Sequence, residues 1–123
     1  MSFKEYFGIE SPLLPRAAAG FGGGFGLKGS LCGIFMGSVM AIGIKDGRND
    51  AKETQALATV NEKVKKFSGR FVKEFGSRDC WELAGYRLED PEQFKKWAES
   101  GGVKRCNAML RRTVQILIED FQI

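Results

Sequence analysis

The chain has 123 residues, 43% of them apolar and 28% charged, a balance that excludes a disordered tail, a collagenous chain and a disulfide-dense miniprotein. It contains no histidine, so imidazole general-base catalysis, His-containing zinc or haem ligation and the Cys-His and Ser-His nucleophile pairs are excluded together, and any chemistry runs on thiols, carboxylates, amines or backbone. The formal charge of +4 is concentrated on residues 45–78, with nine basic against five acidic side chains, and without interleaved aromatics this reads as a solvated face rather than a nucleic-acid surface.

A chain of this length buries about two-thirds of its unfolded surface and needs no metal or disulfide to hold a core. The periodicities predict one all-α domain over residues 1–123, a helical bundle around a buried glycine-rich central helix. The opening, MSFKEYFGIESPLLP, lacks the charged, apolar and cleavage regions of a secretory leader, which points to the cytoplasm. Residues 17–44 hold a single charge, Lys28. The glycines of the loop at about 20–29 interrupt that stretch, and the apolar run from Leu31 to Ile44 is too short to span a membrane. The run reads instead as a wholly buried helix opening near Ser30, with Gly29, Gly33, Gly37 and Ala41 forming a stripe that admits another backbone.

Further along, Leu57, Val60, Val64, Phe67, Phe71 and Phe75 recur at steps of three and four. They predict a long amphipathic helix over about 50–75, capped by Asn49 or Asp50 and ended by Gly76. Ser77 is then the cap of a short helix from Arg78 to Ala84, stopped by Gly85. Asp90 before Pro91 starts another short helix through Trp97, closed by Gly101 and Gly102. The last helix covers about 103–121, with Val103, Cys106, Leu110, Val114, Leu117 and Phe121 on its inward face. No strand alternation is present.

Three cysteines, Cys32, Cys80 and Cys106, fall where these helices begin. A helix N-terminus favours a thiolate, and Arg78 and Arg105 are sequence neighbours of two of them, so all three are candidate reactive thiols. The competing reading is structural, because cysteine often packs as a small hydrophobe. No Cys-x-x-Cys occurs, so any pair must be assembled by folding. The loop Gly20–Ser30 does not carry phosphate-loop spacing. Its Gly22, Gly23 and Gly24 could still offer backbone N–H groups to an anion or a sulfur, with a tight structural crossing as the competing reading. Phe21, Phe25, Met36 and Met40 read as core packing, and Glu89, Asp90, Glu119 and Asp120 as solvated carboxylates.

The boxes Pro12-Leu-Leu-Pro-Arg16, Gly20-Phe-Gly-Gly-Gly24, Cys32-Gly-Ile-Phe-Met-Gly37 with Met40-Ala-Ile-Gly43, Phe75-Gly-Ser-Arg-Asp-Cys80-Trp-Glu-Leu83 and Lys104-Arg-Cys106 occur in that order. Together they resemble the C_GCAxxG_C_C family of redox-active proteins, named for its cysteine pattern. Ile34 stands where the family has alanine, and the family's first cysteine has no counterpart, leaving three of four. The resemblance implies thiol or metal chemistry.

Two uses of the cysteines follow. In the first, Cys32, Cys80 and Cys106 converge and a pair cycles between dithiol and disulfide in exchange with a redox partner protein. In the second, the three hold a metal ion or an iron-sulfur cluster, with a carboxylate such as Asp79 or an external ligand as the fourth. A rival from another class is a non-enzymatic helical interaction module with buried structural thiols. No cofactor is required by the first or third reading. A homodimer is expected if the segment from Cys32 to Ile44 is left uncovered, and a membrane or nucleic-acid partner is not. Apolar neighbours should make Cys32 the slowest thiol to react, with Cys80 first and Cys106 between them.

Overall fold

A computed structural model describes residues 11–123; the decapeptide on which the reading against a secretory leader largely rests lies outside the described residues. The described chain forms α1 (Leu13–Ala17), a 3-10 turn (Ala19–Phe21), α2 (Gly33–Asp46), α3 (Thr54–Phe75), α4 (Cys80–Ala84), α5 (Pro91–Glu99) and α6 (Gly102–Phe121). Among the described residues there is no sheet, only one isolated antiparallel bridge between Leu31 and Asp79. The fold is all-α, and among the described residues no helix is long and apolar enough to cross a membrane.

Helix ends follow local chemistry. Gly76 takes φ 88° and returns its N–H to the Val72 carbonyl at 2.7 Å, the left-handed stop that a residue without Cβ adopts freely. Asp90 accepts the Glu92 N–H at 2.9 Å and Pro91 occupies the first turn of α5, where its missing N–H costs nothing. The start of α3 is later than the sequence suggests. Asp50 spends its carboxylate on the Lys52 N–H and its carbonyl on the Glu53 N–H, closing a turn, so Glu53 becomes the residue that precedes the helix. In the same way the Ser77 hydroxyl accepts the Asp79 N–H, and α4 begins at Cys80 rather than at Arg78.

The core lies where α2, α3 and α6 meet. Phe35 of α2 stacks on Phe67 of α3 at 5.5 Å and meets Phe71 edge-on at 5.4 Å, while Phe121 of α6 closes on Phe67 at 5.8 Å. Such ring pairs add about 0.5–1.5 kcal/mol each beyond their buried area. Ile42, Ile116 and Thr113 are fully enclosed beside them. Thr113 is tolerated there because its hydroxyl donates to the Met109 carbonyl at 2.7 Å.

Two predicted faces are revised. The central helix α2 is glycine-rich but not wholly buried: Phe35, Ser38, Ala41 and Ile42 face the core, and most of its other residues are only partly buried. Its glycine stripe meets backbone only at Gly33, where an added Cβ would lie 3.2 Å from the Phe21 carbonyl oxygen, whereas Gly37 faces open space. On α6 the inward face is turned toward Gly102, Thr113, Ile116 and Leu117, leaving Val103 and Leu110 about half exposed, at 53% and 46%. The Trp97 indole explains the rotation at one end, since it occupies the space a side chain on Gly102 would fill.

Candidate functional site

The glycine loop prepares the site. Residues 23–27 all have positive φ, namely Gly23 66°, Gly24 75°, Phe25 63°, Gly26 62° and Leu27 67°. Side-chain-bearing residues pay about 1–2 kcal/mol each for that conformation, so Phe25 and Leu27 are strained. The turn is held by its own backbone: the N–H groups of Gly26, Gly29 and Ser30 reach the carbonyls of Gly20, Gly23 and Gly24, each at 3.0 Å.

Beyond the loop, Leu31 pairs with Asp79. The Cys32 N–H donates to the Arg78 carbonyl at 2.7 Å and the Cys80 N–H to the Ser30 carbonyl at 2.8 Å. In this ladder Cys32 stands opposite Arg78, and Cys80 two positions farther on, so alternation puts both thiols on one face and Leu31 and Asp79 on the other. Diagonal pairs of this kind lie about 7–8 Å apart at Cα, with Cβ atoms somewhat closer. A disulfide spans about 4.4–6.8 Å between Cα atoms, a little less than the diagonal spacing. All three cysteines are free thiols.

Of the three loop glycines, Gly24 belongs to this site. It is buried, and a Cβ there would lie 2.8 Å from the Cys80 Cβ and 2.6 Å from the Ser30 nitrogen. Its missing side chain makes room for Cys80. Gly23 is closed off by Leu27, and Gly22 faces open space.

Electrostatics run against the sequence expectation that helix starts activate the thiols. Burial, followed by repulsion from Cys32 and Cys106, pushes the Cys80 thiol up to about 11. Burial and then Cys32 also raise Cys106, with Arg105 opposing. Cys106 lies on α6 and takes no part in the bridge. Arg78 is turned away to the Ser68 hydroxyl, to which it donates, and Arg105, which also donates to the Ser100 carbonyl at 2.6 Å, offsets the burial of Cys106 only in part. Cys32 is buried, and Cys80 and Cys106 are half-buried.

The metal reading fares less well. Among the described residues no group of three or more Cys, Asp or Glu side chains is gathered closely enough to hold a metal ion. Asp79, the carboxylate considered as a fourth ligand, is paired with Leu31 in the bridge, and strand alternation assigns it to the face opposite Cys80.

Sequence reasoning missed Trp81. Its ring lies where a side chain on Gly29 would be, 2.0 Å from the position of an added Cβ, and its Nε1–H donates to the Leu27 carbonyl at 3.3 Å. Arg87 sits 5.4 Å over the ring, and Lys28 pairs with Glu89 at 2.6 Å. The adjacency of Trp81 to Cys80 was the available signal, but nothing local indicates that it reaches a loop 54 residues away.

A sequence profile of the family described as "Putative redox-active protein (C_GCAxxG_C_C)" matches residues 1–119. No curated protein and no solved structure matches the chain.

Proposed function

The chain belongs to the C_GCAxxG_C_C family, and we propose that its redox activity is thiol–disulfide exchange by Cys32 and Cys80. The cross-bridge placement of these two thiols on one face carries this reading. Cys80, the more accessible of the two, attacks a disulfide of a redox partner protein as the thiolate. A mixed disulfide forms and one partner thiol leaves. Cys32 then gives up its proton and attacks the Cys80 sulfur, releasing the second partner thiol. The partner gains two electrons and two protons, and Cys32 and Cys80 lose them as their disulfide forms. Cys106 remains a thiol throughout. An odd set of free thiols suits the reducing cytoplasm, which is the compartment proposed here.

The test is equilibration in glutathione redox buffers followed by acid quenching, thiol counting and peptide mapping. A Cys32–Cys80 linkage with Cys106 free is expected, lost in Cys32→Ser and in Cys80→Ser and kept in Cys106→Ser. Stoichiometric metal in anaerobically purified protein, with no linkage formed, would overturn the exchange reading.

A further inference from the structure

We infer that Trp81 is a positioning residue for the Cys32–Cys80 pair, strapping α4 to the glycine loop so that the two sulfurs are held apart and the dithiol is favoured over the disulfide. The inference rests on the exchange reading and names what tunes it.

Cys80 is the first residue of α4, a five-residue helix bounded by Gly76 and Gly85, both in the left-handed conformation at φ 88° and 76°. Such a short segment between two glycines has little of its own to fix its position. The backbone bridge to Ser30 and Cys32 holds its start, and the strap at Trp81 holds the residue that follows. The Trp81 ring occupies the space left by Gly29, which itself has φ 74°, and Nε1–H donates to the carbonyl of strained Leu27. The neighbouring Lys28–Glu89 pair is largely solvated and adds little.

No disulfide joins Cys32 and Cys80, which hold diagonal positions about the bridge; diagonal pairs lie about 7–8 Å apart, so closing a disulfide draws α4 along the bridge toward Cys32. Trp81 is covalently next to Cys80 and has to move with it, sliding off Gly29 and away from the Leu27 carbonyl. Contacts made in the dithiol and weakened in the disulfide stabilise the dithiol by their difference. Removing the strap therefore shifts the equilibrium toward the disulfide.

The experiment measures the equilibrium between the protein dithiol plus glutathione disulfide and the protein disulfide plus two glutathione thiols. It compares the wild-type chain with Trp81→Ala, Trp81→Phe and Gly29→Ala. For Trp81→Ala and Gly29→Ala the constant is expected to move toward disulfide by about tenfold, equivalent to about 30 mV more negative. Trp81→Phe keeps a ring on Gly29 but loses the indole donor, and is expected to shift in the same direction by about twofold or more. It decides the matter if the other two variants do not fold.

In the wild-type chain, oxidation is also expected to change Trp81 emission, read against Trp97→Phe to isolate it and Cys32→Ser as the control that cannot close. Constants within twofold of wild type in the folded tryptophan variants, or unchanged emission while mapping shows the disulfide formed, would overturn the strap. A wild-type chain that forms no Cys32–Cys80 disulfide would instead overturn the exchange reading itself.

Discussion

Cys80 shows how burial and charge compete at one atom. With its thiol near 11, only about one molecule in ten thousand carries the thiolate at pH 7. Its alkylation rate is therefore expected to climb about tenfold per pH unit up to about pH 11, where an ordinary thiol has already levelled off near its value of 9.0. Peptide mapping after brief labelling across that range checks it, and a plateau near pH 9 would contradict the burial. The direction of the shift also means that Cys80 supports the folded state below about pH 9 and that this support is lost as pH rises toward 11. The order of labelling changes accordingly. Cys106 carries no comparably large shift and has Arg105 beside it, so it is expected to react before Cys80, with buried Cys32 last. Gly24 makes a second prediction. Gly24→Ala combines a left-handed φ of 75° with contacts of 2.8 Å and 2.6 Å and should cost about 2 kcal/mol or more by urea denaturation, whereas Gly22→Ala, facing open space, should cost far less.

The helices differ in what holds them. The Phe71 side chain of α3 is fully enclosed between Phe35, Phe67 and Phe75. Phe71→Ala is therefore expected to cost about 3–5 kcal/mol, while Leu57→Ala at the exposed start of the same stripe, 36% accessible, should cost a small fraction of that. Helix α5 leans on its cap instead. Asp90→Ala removes the acceptor for the Glu92 N–H and should cost about 1 kcal/mol, measured as a shift in the denaturation midpoint. Much of this was legible in sequence, because caps and left-handed stops act within a few residues and the α3 stripe is narrow enough to have one inward face. The register of α6 was not legible. Its apolar and near-apolar residues cover two adjoining faces, one running through Thr113 and Ile116 and the other through Val103 and Leu110, and only packing against α2 and α3 selects between them.

At the level of the assembled chain, α3 and α6 are tied by a network in which Glu74 accepts from Arg112 Nε and Arg70 Nη1, both at 2.6 Å, and Arg70 also reaches Asp120 at 3.2 Å. Arg112, and then Arg70, hold the Glu74 carboxyl at about 2 against an ordinary 4.5. A depressed carboxyl stabilises the fold above its unfolded value, and that contribution is lost as pH falls from about 4.5 toward 2. Melting temperatures are expected to fall through that window in the wild-type chain and to fall less steeply in Glu74→Gln; identical slopes would contradict the network. Self-association, expected from the sequence on the face of α2, finds no fully exposed large apolar residue there. Val103, Leu110 and Ile118 of α6, at 53%, 46% and 41% exposure, are the better surface. If a dimer forms, sedimentation at concentrations on the order of tens of micromolar should show it, and Leu110→Glu should return it to monomer.

Periodicity, capping residues and the order of the cysteine boxes were enough to establish the helical class, most helix ends and the family, because each depends on interactions within a turn or on residues read in sequence. A meeting of Cys32 with Cys80 was expected from the placement of the cysteines at helix starts and from the family resemblance. Its physical basis is a bridge between Leu31 and Asp79, two loop residues whose pairing no local pattern marks. The protonation of the thiols was decided in the same way. A helix start and a neighbouring arginine argue for activation, but the folded chain turns Arg78 to Ser68 and buries Cys80 against Gly24, which raises its thiol. Desolvation acts on the whole surroundings of a sulfur atom, and those surroundings are assembled from segments that meet only when the chain folds.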